Sequence, residues 1–110
     1  MELGNFARLH LLTALDVSQK SRGHNFATLR VARDLFSKIG FSADEIKELG
    51  LRQEDDSNYK WDSDKEVDFE FNDAERDVLK SALEFLSEKD AAGPIHLALY
   101  DALDETEGGA

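Results

Sequence analysis

Near Gly50 the spacing of apolar residues in this chain changes from three or four to two, and near Asn72 it changes back. A chain with that pattern builds helices, then short strands, then helices again. It is thereby restricted to an α+β fold whose strands come from one stretch.

The spacing predicts a first helix over about Asn5 to Leu15, with Asn5 as N-cap and Phe6, Leu9, Leu12 and Leu15 on one stripe. VSQKSRGHN follows as a polar loop. Behind the capping residue Asn25, Phe26, Leu29, Ala32, Leu35, Phe36 and Ile39 keep helical spacing, and Gly40 stands where a left-handed residue ends a helix. Ser42-Ala-Asp-Glu45 reads as a capping box that opens a short third helix through Leu49.

LRQ, YKW and EVDFEF then read as two or three short strands, separated by the polar turns EDDSN and DSDK. Asn72-Asp-Ala-Glu75 opens a fourth helix to about Lys89, burying Ala74, Val78, Leu79, Ala82, Leu83 and Leu86. Gly93-Pro94 begins a fifth, with Ile95, Leu99 and Leu103 on its apolar face. The expected fold is therefore α+β, with about five helices and a small two- or three-stranded antiparallel sheet between helices three and four. So small a sheet needs cover, so Val67, Phe69 and Phe71, with Trp61, should lie on the helices. The 110 residues hold one core, expected as a single globular domain over 1–103 with a frayed acidic tail over 104–110.

Cysteine is absent, which removes disulfides, thiolate nucleophiles and Cys-based metal sites together. Polar residues interrupt every apolar run well short of the roughly 20 residues a membrane span needs. The first residues lack the pattern of a signal peptide, and cytoplasm is the expected compartment.

Charge is unevenly laid out. Residues 1–53 carry eight Lys/Arg against six Asp/Glu, whereas residues 54–110 carry five against eighteen, within a net of −11. Residues 54–77 alone hold eleven acids and three bases. A field of that sign repels nucleic acid and anionic membrane and attracts basic proteins.

Nothing in the chain resembles catalytic machinery. His10, His24 and His96 fall on the first helix, in a loop and on the last helix, with no spacing that brings them together. There is no nucleophile elbow, P-loop or dinucleotide glycine pattern. Asp62-x-Asp64-x-Glu66 imitates the start of a calcium loop, but Val67 occupies the glycine position and Asp73 the position of the closing glutamate. No enzyme, cofactor or resident metal is expected.

Two surfaces stand out. In DSDKEVDFEF, Asp62, Asp64, Glu66, Asp68 and Glu70 take every second position, with Val67, Phe69 and Phe71 between or beside the later ones, so a strand would line the acids along one face at roughly 6.6 Å intervals. Such a row is either a solvated face that guards an edge strand or a docking surface for a basic partner, with Tyr59 or Trp61 as apolar anchor. Arg30 and Arg33 share one side of the second helix and are candidates for self-association into a homo-oligomer. Helices two and three, with a hairpin as wing, also have the order of a winged helix. Asp44, Glu45 and Glu48 on the recognition helix oppose direct nucleic-acid binding.

RLHLLTAL, NFATLRVARDL, FSADEIKELGLRQ, a Trp near the end of the hairpin, AERDVLKSALEFLSEK and HLALYDAL together resemble a group of short proteins encoded in phages and prophages. The resemblance covers nearly the whole chain and rests mostly on core and capping positions. It implies an origin in a virus or mobile element and supplies no catalytic residue. The expected function is a non-enzymatic interaction protein that presents an acidic surface, in the extreme a nucleic-acid mimic, to a basic host or phage protein. The alternatives are a self-associating assembly accessory and a winged-helix regulator.

Overall fold

The computed structural model describes residues 1–55 and 58–108. Five helices, α1 (Asn5–Ser21), α2 (Phe26–Ile39), α3 (Ala43–Leu49), α4 (Asp73–Glu88) and α5 (Pro94–Gly108), are joined by four two-residue strands. These are β1 (Glu2–Leu3), β2 (Arg52–Gln53), β3 (Tyr59–Lys60) and β4 (Val67–Asp68). The fold is α+β and mostly helical.

The strands form two separate antiparallel ribbons. β2 pairs with β3 as a hairpin, in the register Arg52↔Lys60 and Gln53↔Tyr59, and β4 pairs with β1, in the register Leu3↔Val67. The expected sheet is thus split, and β1 had no periodic signal because two residues are too few to show one. The Asp56–Ser57 part of the EDDSN turn lies outside the described residues.

α1 and α4 form the centre of the helical packing, with α2 and α5 each against both. The core joins Leu11, Ala14 and Leu15 of α1, Ala32, Leu35 and Ile39 of α2, Leu79, Ala82, Leu83 and Leu86 of α4, and Leu99 and Leu103 of α5. Leu3 and Phe69 enter it from the β1–β4 side, with Val67 and Phe71 packed against it as the alternation predicts. Each fully buried Leu contributes about 1.5–3 kcal/mol relative to exposure.

Both predicted capping boxes form. Ser42 and Glu45 exchange hydrogen bonds at the start of α3, as do Asn72 and Glu75 at the start of α4. Asn25 caps α2 by accepting the Thr28 amide at 2.8 Å.

Several local expectations need correction. Asn5 is not a cap: Gly4 occupies that position, and the Asn5 side chain is buried, donating to the Ser63 carbonyl at 2.9 Å. α1 continues to Ser21 through half the expected loop, because Ser18 faces inward and Arg22 reaches Ser81 on α4. Gly40 is extended rather than left-handed. A side chain there would bring its Cβ within 2.5 Å of the Phe36 carbonyl, so close approach explains the glycine. The left-handed residue is Gly50, at φ 66°, which closes α3. Ala74 is exposed, and α5 runs past Leu103 to Gly108 where a frayed tail was expected. The last two residues of that tail lie outside the described residues.

Candidate docking surface

α1 exposes Phe6 at 52% while burying Arg8 at 1%. The expected stripe explains the surprise. Steps of three residues rotate by about −60° on a helix of 3.6 residues per turn, so Phe6 and Leu15 lie on opposite sides. The inward face is instead Arg8, Leu11, Ala14, Leu15 and Ser18.

Arg8 is held on all sides. Its Nε donates to the Ile39 carbonyl at 3.0 Å, Nη2 to the Gly40 carbonyl at 2.9 Å, and Nη1 to Glu45 Oε2 at 2.9 Å. The guanidinium stacks on Phe41, 3.9 Å from the ring centre. It therefore closes the C-terminus of α2, where the helix dipole favours a cation, and ties α3 to the bundle. The Arg8 hydrogen bond draws the Glu45 carboxyl down to about 2 from 4.5.

On the opposite side of α1, Phe6, Leu9, His10 and Thr13 face Asn58, Tyr59 and Trp61 of the hairpin across a groove of about 400 Å³. Tyr59 is exposed and Trp61 half-buried. The hairpin is placed by its base: Asp62 and Ser63 donate backbone N–H groups to the Leu49 carbonyl at 2.8 and 3.2 Å, and Arg52 Nη1 donates to Asp62 Oδ1 at 3.1 Å. At its tip, Asn58 donates its backbone amide and side-chain amide to the Asp55 carboxylate.

The five acids do not stand in one row. Only Val67–Asp68 is strand, and residues 62–66 follow an irregular path. The alternation reads correctly as facing, apolar in and acid out, but the chain has neighbours to pair with only at β1. Asp62 engages Arg52. Asp64 Oδ1 accepts the Asn5 amide at 2.9 Å, satisfying one of the free N–H groups at the start of α1. Asp68 pairs with the terminal ammonium of Met1 at 2.8 Å. Glu66 and Glu70 are exposed, with no side-chain partner among the described residues. All five carboxylates face solvent. Neither Asp62 nor Asp64 lines the aromatic groove: Asp62 follows Trp61 in the chain with its carboxylate on Arg52, and Asp64 holds the amide of Asn5, the residue before Phe6.

The fold does bring two histidines together, which no spacing indicated. His10 stacks edge-on with Phe6 at 4.3 Å and with His96 at 5.3 Å between ring centres. Gly93 N–H donates to His96 Nδ1 at 2.8 Å, which places the proton of the neutral ring on Nε2. Burial, and secondarily the neighbouring His10, hold His96 below its usual pKa. His24 lies elsewhere, its Nε2 3.0 Å from the Ser18 carbonyl. Among the described residues, no three His, Cys, Asp or Glu side chains gather at one point.

Arg30 and Arg33 are exposed on α2, and Arg33 Nε lies 3.5 Å from the adjacent Asp34. Phe26, 78% exposed, and Leu29 flank them on the same helix face. The helical spacing that places both apolar residues on α2 does not say how wide the buried stripe is.

No protein-family model matches the chain, and no curated protein or solved structure matches it either. No helix among the described residues is long and apolar enough to cross a membrane.

Proposed function

We propose that this is a non-enzymatic interaction protein, encoded by a phage or prophage, that docks a basic protein at the aromatic groove between α1 and the β2–β3 hairpin. One observation carries the reading: Phe6 and Tyr59 stay exposed on either side of a concavity, in a chain whose acids concentrate over residues 54–77. Exposed aromatics in a depression are what an anchor residue fills, and a net charge of −11 speeds the approach of a cationic partner. The role of the acids is steering. Asp62, Asp64 and Asp68 also hold the protein's own chain, so a variant that neutralises them mixes folding with binding.

The test is affinity capture from bacterial lysate with wild type and with Glu66→Gln/Glu70→Gln. The captured basic protein is then titrated directly at low and high salt. Wild type should bind more tightly at low salt, and the variant should bind several-fold more weakly there, with the gap closing at high salt. Equal affinity of the two proteins at low salt would sink the reading.

A second reading is favoured by one observation. Phe26, Leu29, Arg30 and Arg33 form an exposed apolar and cationic face on α2 that is complementary to the acidic side of another copy. Light scattering over a concentration series separates the two, since this reading requires mass to rise with concentration and to fall back with salt. The winged-helix alternative has less support. Its recognition helix would be the seven-residue α3, with Asp44, Glu45 and Glu48 against Lys47 and with Glu45 already bound to Arg8.

A further inference from the structure

The Trp61 groove is not isolated. On the other side of the His10–His96 contact lies a second groove of about 310 Å³, between α4 and α5, lined among others by Leu83, His96, Leu97 and Tyr100. His10 belongs to the wall of the first groove and His96 to the wall of the second, and their rings touch edge-on at 81°. The stacked pair is therefore a bridge in the floor.

Three large exposed apolar side chains lie along this path, while Phe26, Leu29 and Ile46 lie elsewhere. Phe6, Tyr59 and Leu97, the last 62% exposed, all line one groove or the other. Acids lie close to the first groove without lining it: Asp62 follows Trp61, and Asp64 holds the amide of Asn5, the residue before Phe6. In the second, Glu84 accepts the Tyr100 hydroxyl at 2.9 Å. A strip that is aromatic and aliphatic in its lining, with Glu84 in one groove and acids near the other, in a chain of net charge −11, matches a cationic occupant. Anionic lipid and nucleic acid are repelled by the same acids.

We infer that the two grooves act as one strip, which receives a single amphipathic protein segment with apolar residues on one face and Lys or Arg at its flanks. The inference rests on the docking role proposed for the first groove and adds the second groove and the form of the ligand. A helical segment of about 14 residues is ~21 Å long, and its apolar positions recur every three or four residues. Such a segment presents anchors to both grooves from one side, the helix-in-groove mode of recognition.

The probe is a fluorescein-labelled 14-residue Leu/Lys peptide that is amphipathic as a helix, beside a Ser/Lys peptide of the same charge. Affinity is read by anisotropy and the contact surface by amide chemical shifts on the intact protein. Phe6→Ser and Leu97→Ser are suitable variants, since both side chains already face solvent. One Leu/Lys peptide should bind per protein, shifting Tyr59 and Trp61 together with Leu97 and Tyr100. Each variant should weaken it about tenfold, and the Ser/Lys peptide should bind at least tenfold more weakly. Shifts confined to the Tyr59–Trp61 end, with Leu97→Ser binding like wild type, would overturn the strip and leave the first groove's docking role standing. Two peptides bound independently, equal binding of the Ser/Lys peptide, or occupation of the strip by a second copy would also overturn it. Absence of binding by either peptide would overturn both readings.

Discussion

Arg8 and Phe6 are two residues apart on α1, and each sits where the other's chemistry would ordinarily belong. The guanidinium is in the core with its donors directed at two carbonyls and a carboxylate, and the phenyl ring is in solvent beside other aromatics. The difference teaches how to read the helix. A charge in the core is tolerable only when fully partnered, and Arg8 meets that requirement by closing α2 and anchoring α3. A large ring held at the surface contributes little to folding, and in a groove it is free to meet something else. The inward side of α1 holds the fold together, and the outward side is the candidate for function.

The contrast breaks most severely at Arg8. Arg8→Ala leaves Glu45 and two helix-terminal carbonyls without their partner, and should cost about 3–5 kcal/mol in denaturant unfolding. Arg8→Met, which fills the volume without the charge, should cost less if Glu45→Gln accompanies it, a comparison made with the same midpoints.

Next comes acid. The Glu45 carboxyl lies at about 2 in the folded state against 4.5 ordinarily, so the folded chain resists a proton that the unfolded chain accepts. Its contribution is complete above about pH 4.5 and is lost as pH falls towards 2. After allowance for solvent screening the loss is about 2 kcal/mol. Glu45→Gln should flatten that limb of a stability–pH curve, and an unchanged limb would assign it to other carboxylates.

Smaller still is Asp64→Ala, which removes the acceptor for the Asn5 amide and an acid at the start of α1. About 1 kcal/mol is expected, read as a lowered unfolding midpoint. Smallest is Phe6→Ser, which should shift stability by no more than about 0.5 kcal/mol, as for other exposed positions. A loss as large as that from Asp64→Ala would give Phe6 a structural role and blur the two sides of α1.

How far the sequence could be read follows the same division. The two capping boxes, the ends of α2 to α4 and the inward Phe69 were readable because each depends on residues a few positions apart. β1 and the pairing of β4 with it were not, since they join residues more than sixty positions apart and leave only two-residue signals. The acids at 62 to 70 were readable as solvent-facing. Their division among Arg52, the start of α1 and the amino terminus was not, because it depends on where the helices bring those groups. The groove follows from the rotation of α1, which turns Phe6 away from Leu15. That much was present in the spacing, had steps of three been followed around the helix. The meeting of His10 with His96 depends on α1 packing on α5, which no local pattern encodes.

The central claim, that the outward side of α1 serves docking and not folding, is tested most directly through Trp61. It is the chain's single tryptophan and lies in the groove wall, so its emission responds to occupation of that site as well as to unfolding. Wild type and Phe6→Ser are titrated with the amphipathic Leu/Lys peptide, and both are unfolded in denaturant under the same emission. The account predicts a saturable spectral shift in wild type, affinity about tenfold weaker in Phe6→Ser, and coincident unfolding midpoints. An unchanged affinity, or a midpoint that falls in step with binding, would contradict it.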